Sequence, residues 1–272
     1  MSFSDRTVIV TGASLGVGRA VAQRFHSAGA NVVLVARREA PLQEVADALG
    51  DAERVMVRPT DVADLDGLEG LIEEVVARFG ALHGLVNNAG LHHRGPVASR
   101  EARELASMVD VNLRGPNFLT RLTIPHLKAA GGGFVVNVAS LAGKVPLDGA
   151  VTYSSTKFGL RAFTFALAQE LLGTGITVSA VSPGPVDTGF IMDELDEVDD
   201  IAFSQRVCTA DHVAKMVLDC ARDGRLERDY PSVGGKLATL SYLLPALGRM
   251  VRPLLARKGR AQKERLRRER GG

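Results

Sequence analysis

Tyr153 and Lys157 stand four residues apart in Thr152-Tyr153-Ser154-Ser155-Thr156-Lys157, and Ser140 lies thirteen residues before Tyr153, closing Asn137-Val138-Ala139-Ser140. On a helix a spacing of four puts both side chains on one face. A phenol with a pKa near ~10 is a weak acid-base partner at neutral pH, but an adjacent ammonium favours its phenolate. Lys157 supplies that ammonium. A serine hydroxyl just after a strand can hold a substrate oxygen while the phenol transfers a proton. Tyr-x3-Lys by itself also describes any exposed helix pair, so its surroundings must decide.

A second cluster is Thr11-Gly12-Ala13-Ser14-Leu15-Gly16-Val17-Gly18, a glycine-rich turn that follows a β-branched run and opens a helical pattern. Glycines let the backbone approach a pyrophosphate, and a helix N-terminus presents free N–H groups with a partial positive charge. Gly12, Ser14, Leu15, Gly16 and Gly18 are the candidate phosphate cradle. The spacing is Gly-x3-Gly-x-Gly rather than Gly-x-Gly-x2-Gly. About twenty residues on, where an acid would hold the 2′-OH of NAD, the chain reads Ala36-Arg37-Arg38. A carboxylate repels a 2′-phosphate and guanidinium groups grip it, so Arg37 and Arg38 predict NADP(H).

These groups need a scaffold. Strands are predicted near 7–11, 31–36, 54–58, 83–88, 133–139 and 176–182, with helices near 17–29, 41–49, 65–79, 101–130 and 152–173. Val32-Val33-Leu34-Val35 and Phe134-Val135-Val136 are apolar on successive residues, as in strands buried on both faces. Alternation of strand and helix gives right-handed crossovers, so the expectation is one α/β domain, a doubly wound Rossmann-type parallel sheet flanked by helices. Ligands then sit beyond the carboxyl ends of the strands, where the candidate residues fall.

Composition agrees with that picture. The 272 residues are 46% hydrophobic and 24% charged, which excludes a disordered or fibrous chain. Two cysteines, Cys208 and Cys220, make no disulfide framework, and the first residues show no secretion signal, so a reduced, cytoplasmic setting is expected. No stretch predicts a spanning helix. Six scattered histidines show no ligand spacing, so no metal site is expected; His92-His93 is a loop feature close enough to Gly90 to border a pocket.

Taken together, Thr11-Gly12-x3-Gly16-x-Gly18, Asp61-Val62, Asn87-Asn88-Ala89-Gly90, Asn112, Ser140, Tyr153-x3-Lys157 and Pro183-Gly184-x3-Thr188 resemble the short-chain dehydrogenase/reductase family over about residues 5–225. The resemblance implies that Asp61 and Val62 contact adenine, and that Asn87, Ala89 and Gly90 line the cofactor. It implies that Asn112 holds a water linking Lys157 to solvent, and that Lys157 also binds the nicotinamide ribose beside Tyr153. Pro183, Val186 and Thr188 would hold the carboxamide. It further implies a homodimer or homotetramer, paired through the helices at 101–130 and 152–173, and a substrate-covering lid at 189–207.

The end of the chain departs from that pattern. Residues 1–230 form the expected catalytic domain and 231–272 an extension whose Leu237, Leu240, Leu244, Leu247, Val251 and Leu254 recur at helical spacing, with breaks expected at Pro245 and Pro253. From Arg249 onward ten Lys/Arg face two acids, although the whole chain carries a net charge of only +2. The lid holds six acids between Asp193 and Asp200, read first as a solvated charge run, with a cationic substrate and a contact for the basic tail as the alternatives. The extension resembles, more weakly, steroid and lipid ketone reductases. Either its apolar stripe packs on the domain or across a dimer and its last dozen residues fray, or it lies on an anionic membrane surface through 236–272. Nucleic acid is not an expected partner. The sequence therefore predicts an NADP(H)-dependent oxidoreductase interconverting a carbonyl and a secondary alcohol, on a lipophilic substrate; the alternative is a cofactor-binding scaffold protein without important catalysis.

Overall fold

Seven parallel strands order as β3-β2-β1-β4-β5-β6-β9 in the computed structural model, which describes residues 2–271. Met1, Gly272 and the side chains of Leu247 and Arg270 lie outside the described residues. In chain order the elements are β1 (Thr7–Thr11), α1 (Gly16–Ser27), β2 (Asn31–Ala36), α2 (Glu39–Leu49), β3 (Val55–Pro59), α3 (Leu65–Phe79) and β4 (Gly84–Asn87). Then come α4 (Ala102–Val109), α5 (Gly115–Ala129), β5 (Gly133–Val138), α6 (Val151–Glu170), β6 (Ile176–Pro183), β7 (Val186–Asp187) and α7 (Gly189–Met192). The chain closes with β8 (Cys208–Thr209), α8 (Ala210–Asp223), β9 (Glu227–Tyr230), α9 (Ser232–Leu243) and α10 (Pro245–Gly271).

The continuous apolar strands have the predicted cause. Val8 and Val10 of β1 point into a core with Val21 and Phe25 of α1 and Val213 and Val217 of α8. Ile9, one residue out of phase, points the other way, toward Leu68 and Leu71 of α3, Leu119 of α5 and Leu167 of α6. Each strand therefore serves two helix layers. The order reverses between β1 and β4, and that switch point opens the crevice where a ligand can sit.

Two expectations about helices change. The single helix over 101–130 is two, joined by a π-helical turn, Asp110–Arg114. Gly115 permits this, because a Cβ there would overlap the Val62 carbonyl. The wider turn carries Asn112 into the interior, where it is fully buried.

The second change concerns the tail. The break at Pro245 is present, with proline heading α10, but Pro253 sits inside that helix without ending it. Residues 261–271 continue the helix instead of fraying, because Lys263 and Leu266 find seats on the acidic segment. That segment stays partly solvated, with Asp193, Glu194, Asp196 and Glu197 exposed, but it is also paired: Glu194, Asp196, Glu197, Asp199 and Asp200 meet Arg94, Arg267, Arg100, Arg252 and Lys263 respectively. Among the described residues no helix is long and apolar enough to cross a membrane.

Candidate active site

A cleft of about 960 Å³ runs along the carboxyl ends of β1, β2, β4, β5 and β6. Its floor begins at the turn from β1 into α1. Gly12 sits at φ 65, and a Cβ there would lie 2.9 Å from the Ala89 Cα, so only glycine lets the turn lie against the chain after β4. Asn88 binds the two together: its Nδ2 donates to the Thr11 carbonyl (2.9 Å) and its backbone N–H to Thr11 Oγ1 (3.0 Å). Sequence reasoning quotes Asn88 without giving it a role; the doubled Asn-Asn is the signal. Gly18 does not line the cleft, since its missing Cβ makes room for the Gly12 carbonyl.

The N-terminus of α1 is left open. Leu15 precedes it with no side-chain cap, and no acid stands in the first turn. Unsatisfied N–H groups facing a cleft beside Ser14, Leu15 and Gly16 suit a pyrophosphate. Farther along, Ala36, exposed Arg37 and Arg38, Asp61 and Val62 line the same cleft, and Thr188 closes over Gly16, whose added Cβ would meet Thr188 Cγ2 at 3.2 Å. Pro183, Val186, Ala89 and Gly90 complete that wall. The donors and shape present fit a dinucleotide.

Asn87 corrects its expectation. Its side chain leaves the cleft for the core, donating to Asn137 Oδ1 (2.8 Å) and Thr120 Oγ1 (3.0 Å). The adjacent Asn88 borders the cleft instead, because successive side chains of an extended segment point oppositely.

Ser140, Tyr153 and Lys157 all border the cleft. The Lys157 ammonium is almost wholly buried and donates to the Val138 carbonyl at 2.9 Å. Burial pushes its pKa from 10.5 down to about 8. Asn112 is held by Leu91, whose N–H donates to Oδ1 (2.7 Å) and whose carbonyl accepts from Nδ2 (2.8 Å). Asn112 does not itself line the cleft, yet a Cβ on Gly90 would stand 3.7 Å from Asn112 Oδ1 and 3.8 Å from Lys157 Nζ, so the two approach at that glycine. The Tyr153 phenol is raised above its ordinary value by desolvation, against a hydrogen bond with Ser140 and the charge of Arg94. In the protein alone the phenol is thus the proton-carrying form, rather than the phenolate that the adjacent lysine suggests.

The far end was barely legible. His92 stacks on Tyr153, ring centroids 4.1 Å apart and 11° from parallel. Arg94 can only donate, so at 2.6 Å it fixes His92 Nδ1 as the acceptor and places the imidazole proton on Nε2. Desolvation first and Arg94 second push the His92 pKa down to about 3, so the ring is neutral. Arg94, itself 6% exposed, also donates to Glu194 Oε2 (2.8 Å) and to the Phe190 carbonyl (2.6 Å). It ties the loop after β4 to the chain after β7. Leu91, Val145, Leu147, Phe190, Ile191 and Ile201 make this end of the cleft apolar.

Three comparisons bear on this geometry. Residues 6–199 match the family model described as short chain dehydrogenase. An uncharacterized oxidoreductase of Staphylococcus aureus is 35% identical over 185 residues, covering 68% of this chain and 80% of that protein. One from Staphylococcus epidermidis is 33% identical over 184 residues, covering 68% and 79%. Among solved structures, a 3-ketoacyl-(acyl-carrier-protein) reductase from Brucella melitensis complexed with NADH superposes with a TM-score of 0.77 at 30% identity, over 84% of this chain and 98% of that one. The chain thus belongs to the short-chain dehydrogenase/reductase family, an oxidoreductase of the kind that works with an NAD(P)-type dinucleotide.

Proposed function

We propose that the protein is an NADP(H)-dependent reductase of a lipophilic ketone or aldehyde, with Tyr153, Ser140, Lys157 and Asn112 as its catalytic set. A bound reduced dinucleotide supplies the hydride that the carbonyl carbon accepts. Ser140 holds the carbonyl oxygen, and Tyr153 delivers its phenolic proton to that oxygen, giving the alcohol. The raised phenol pKa supports this direction, since Tyr153 begins protonated. Lys157 and Asn112, both beside Gly90, would support replacement of that proton. The observation that carries the reading is that Ser140, Tyr153 and Lys157 share one cleft with an uncapped helix N-terminus.

Preference for NADP(H) rests on Arg37 and Arg38, exposed at the cleft beyond small Ala36 with no ion-pair partner among the described residues. The lipophilic substrate rests on the apolar far end. Pairing of two copies through α5 and α6 is the assembly we expect; Ala162 and Gln169 stay exposed on α6, whereas Phe158 is covered by Tyr242 of α9, 5.1 Å away.

The test is NADPH oxidation across lipophilic cyclic ketones, aldehydes, acyl thioesters and sugars, run beside Tyr153→Phe. Turnover of a lipophilic carbonyl by the wild type, lost in the variant with NADPH affinity retained, is expected. Activity that survives Tyr153→Phe refutes the assignment.

A further inference from the structure

The strongest unexplained feature is the seat of α10 on residues 195–204. Glu197, Val198, Asp199, Ile201 and Ala202 of that stretch form part of the cleft wall. They belong to the chain between β7 and β8, whose ends are joined by a two-stranded parallel ladder and which Arg94 and Arg100 hold at Glu194 and Glu197. α10 adds the contacts to Asp196, Val198, Asp199 and Asp200. Lys263 Nζ donates to the Val198 carbonyl at 2.8 Å and the Asp196 carbonyl at 3.3 Å, and stands 3.6 Å from Asp200 Oδ1. Its side chain is only 6% exposed, and burying an ammonium is tolerable only when such acceptors replace water.

The fit is close as well as charged. Gly259 faces the Asp200 carbonyl so tightly that any Cβ there would overlap it. Leu266 packs on Met192, Val198 and Phe203. Arg252 reaches both Asp199, at 3.4 Å, and Asp148 in the loop before α6, and both aspartates line the cleft. One tail side chain therefore ties two separate rims of the pocket together.

We propose that α10 is a strap on the active site, in which Lys263 and Arg252 are positioning residues that hold residues 195–204 against the cleft and so set substrate affinity without touching the reacting atoms. Arg252, Arg260, Lys263 and Arg267 of the tail meet Asp199, Asp200 and Asp196 of the acidic segment, so these four cations have their anions within the chain. The affinity part rests on the reductase reading; the positioning part does not.

The full-length protein tests both. Arg252→Gln, at a half-exposed site, and Lys263→Met are compared with wild type by amide hydrogen exchange and by steady-state reduction of 4-tert-butylcyclohexanone with NADPH. Amides of 195–204 should exchange about tenfold faster, while those of β1 to β6 keep their protection. KM for the ketone should rise about fivefold with kcat and NADPH affinity within about twofold. Arg252→Lys should restore much of the effect. Unchanged exchange at 195–204, or faster exchange with unchanged KM, overturns the strap. Should Lys263→Met lose protection throughout the sheet, Arg252→Gln decides alone. No turnover of any carbonyl by the wild type counts against the reductase reading only, and the exchange result then settles the positioning.

Discussion

Lys157 should weaken the fold that it serves. Its ammonium is 4% exposed, with the Val138 carbonyl its one hydrogen-bond acceptor among the described residues, and burial holds its pKa at about 8 against an ordinary 10.5. That gap corresponds to about 3–4 kcal/mol, at about 1.4 kcal/mol per pH unit. The direction follows from proton binding. Between about pH 8 and 10.5 the unfolded chain holds a proton that the folded one has released, so stability rises with pH across that window. Below it both states are protonated, and the folded state bears the full desolvation cost. Lys157→Met keeps most of the side-chain volume and removes the charge, at the loss of one hydrogen bond of about 1 kcal/mol. The variant should therefore be about 2–3 kcal/mol more stable than wild type at pH 7, although inactive. Urea denaturation at pH 7 and again near pH 10.5 measures both, and the advantage should vanish at the higher pH. A variant less stable than wild type at pH 7, or a difference that ignores pH, would refute the reasoning.

Two further outcomes follow from named contacts. Arg37→Ala should weaken NADPH binding at least about tenfold, followed by nucleotide fluorescence, and leave NADH affinity nearly unchanged, since only the 2′-phosphate loses a charge-assisted bond. An equal loss for both nucleotides would contradict the proposed preference. Asn137→Ala should cost about 3 kcal/mol in urea denaturation, because Asn137 accepts from Asn87 (2.8 Å) and donates to Thr164 (2.8 Å) in the dry core beneath the site.

The sheet was legible because β1, β2 and β5 are apolar on consecutive residues, and the glycine turn because left-handed backbone at Gly12 demands that residue type. Local pattern could not show the π-helical turn at Asp110–Arg114, since a single extra residue in a helix leaves the apolar period nearly intact. Asn87 misled for a related reason. In Asn87-Asn88 both residues are polar, and which one faces the ligand depends on strand phase, fixed here by Thr120 and Asn137 from distant parts of the chain. His92 and Arg94 were obscure because their roles come from Tyr153 and Glu194, both far along the sequence.

The tail shows how a charge run becomes readable once helical phase is applied to it. Arg252, Leu255, Ala256, Gly259, Gln262, Lys263 and Leu266 recur at intervals of three, one, three, three, one and three, the spacing of a single helix face. These are the residues that α10 turns away from solvent, while Arg257, Lys258, Arg265 and Arg268 remain exposed. A glycine and a lysine on the inner face of a basic helix look like defects in an apolar stripe. Against residues 195–204 they are complementary, the glycine admitting the Asp200 carbonyl and the lysine meeting three oxygens that a leucine would leave without a partner. The modest net charge of +2 conceals this pairing because the acids and bases that meet lie more than fifty residues apart in sequence. The inner face of the tail has found its anions within the chain, Lys263 being buried on the acidic segment, while the charge of Arg257, Lys258 and Arg268 is directed outward.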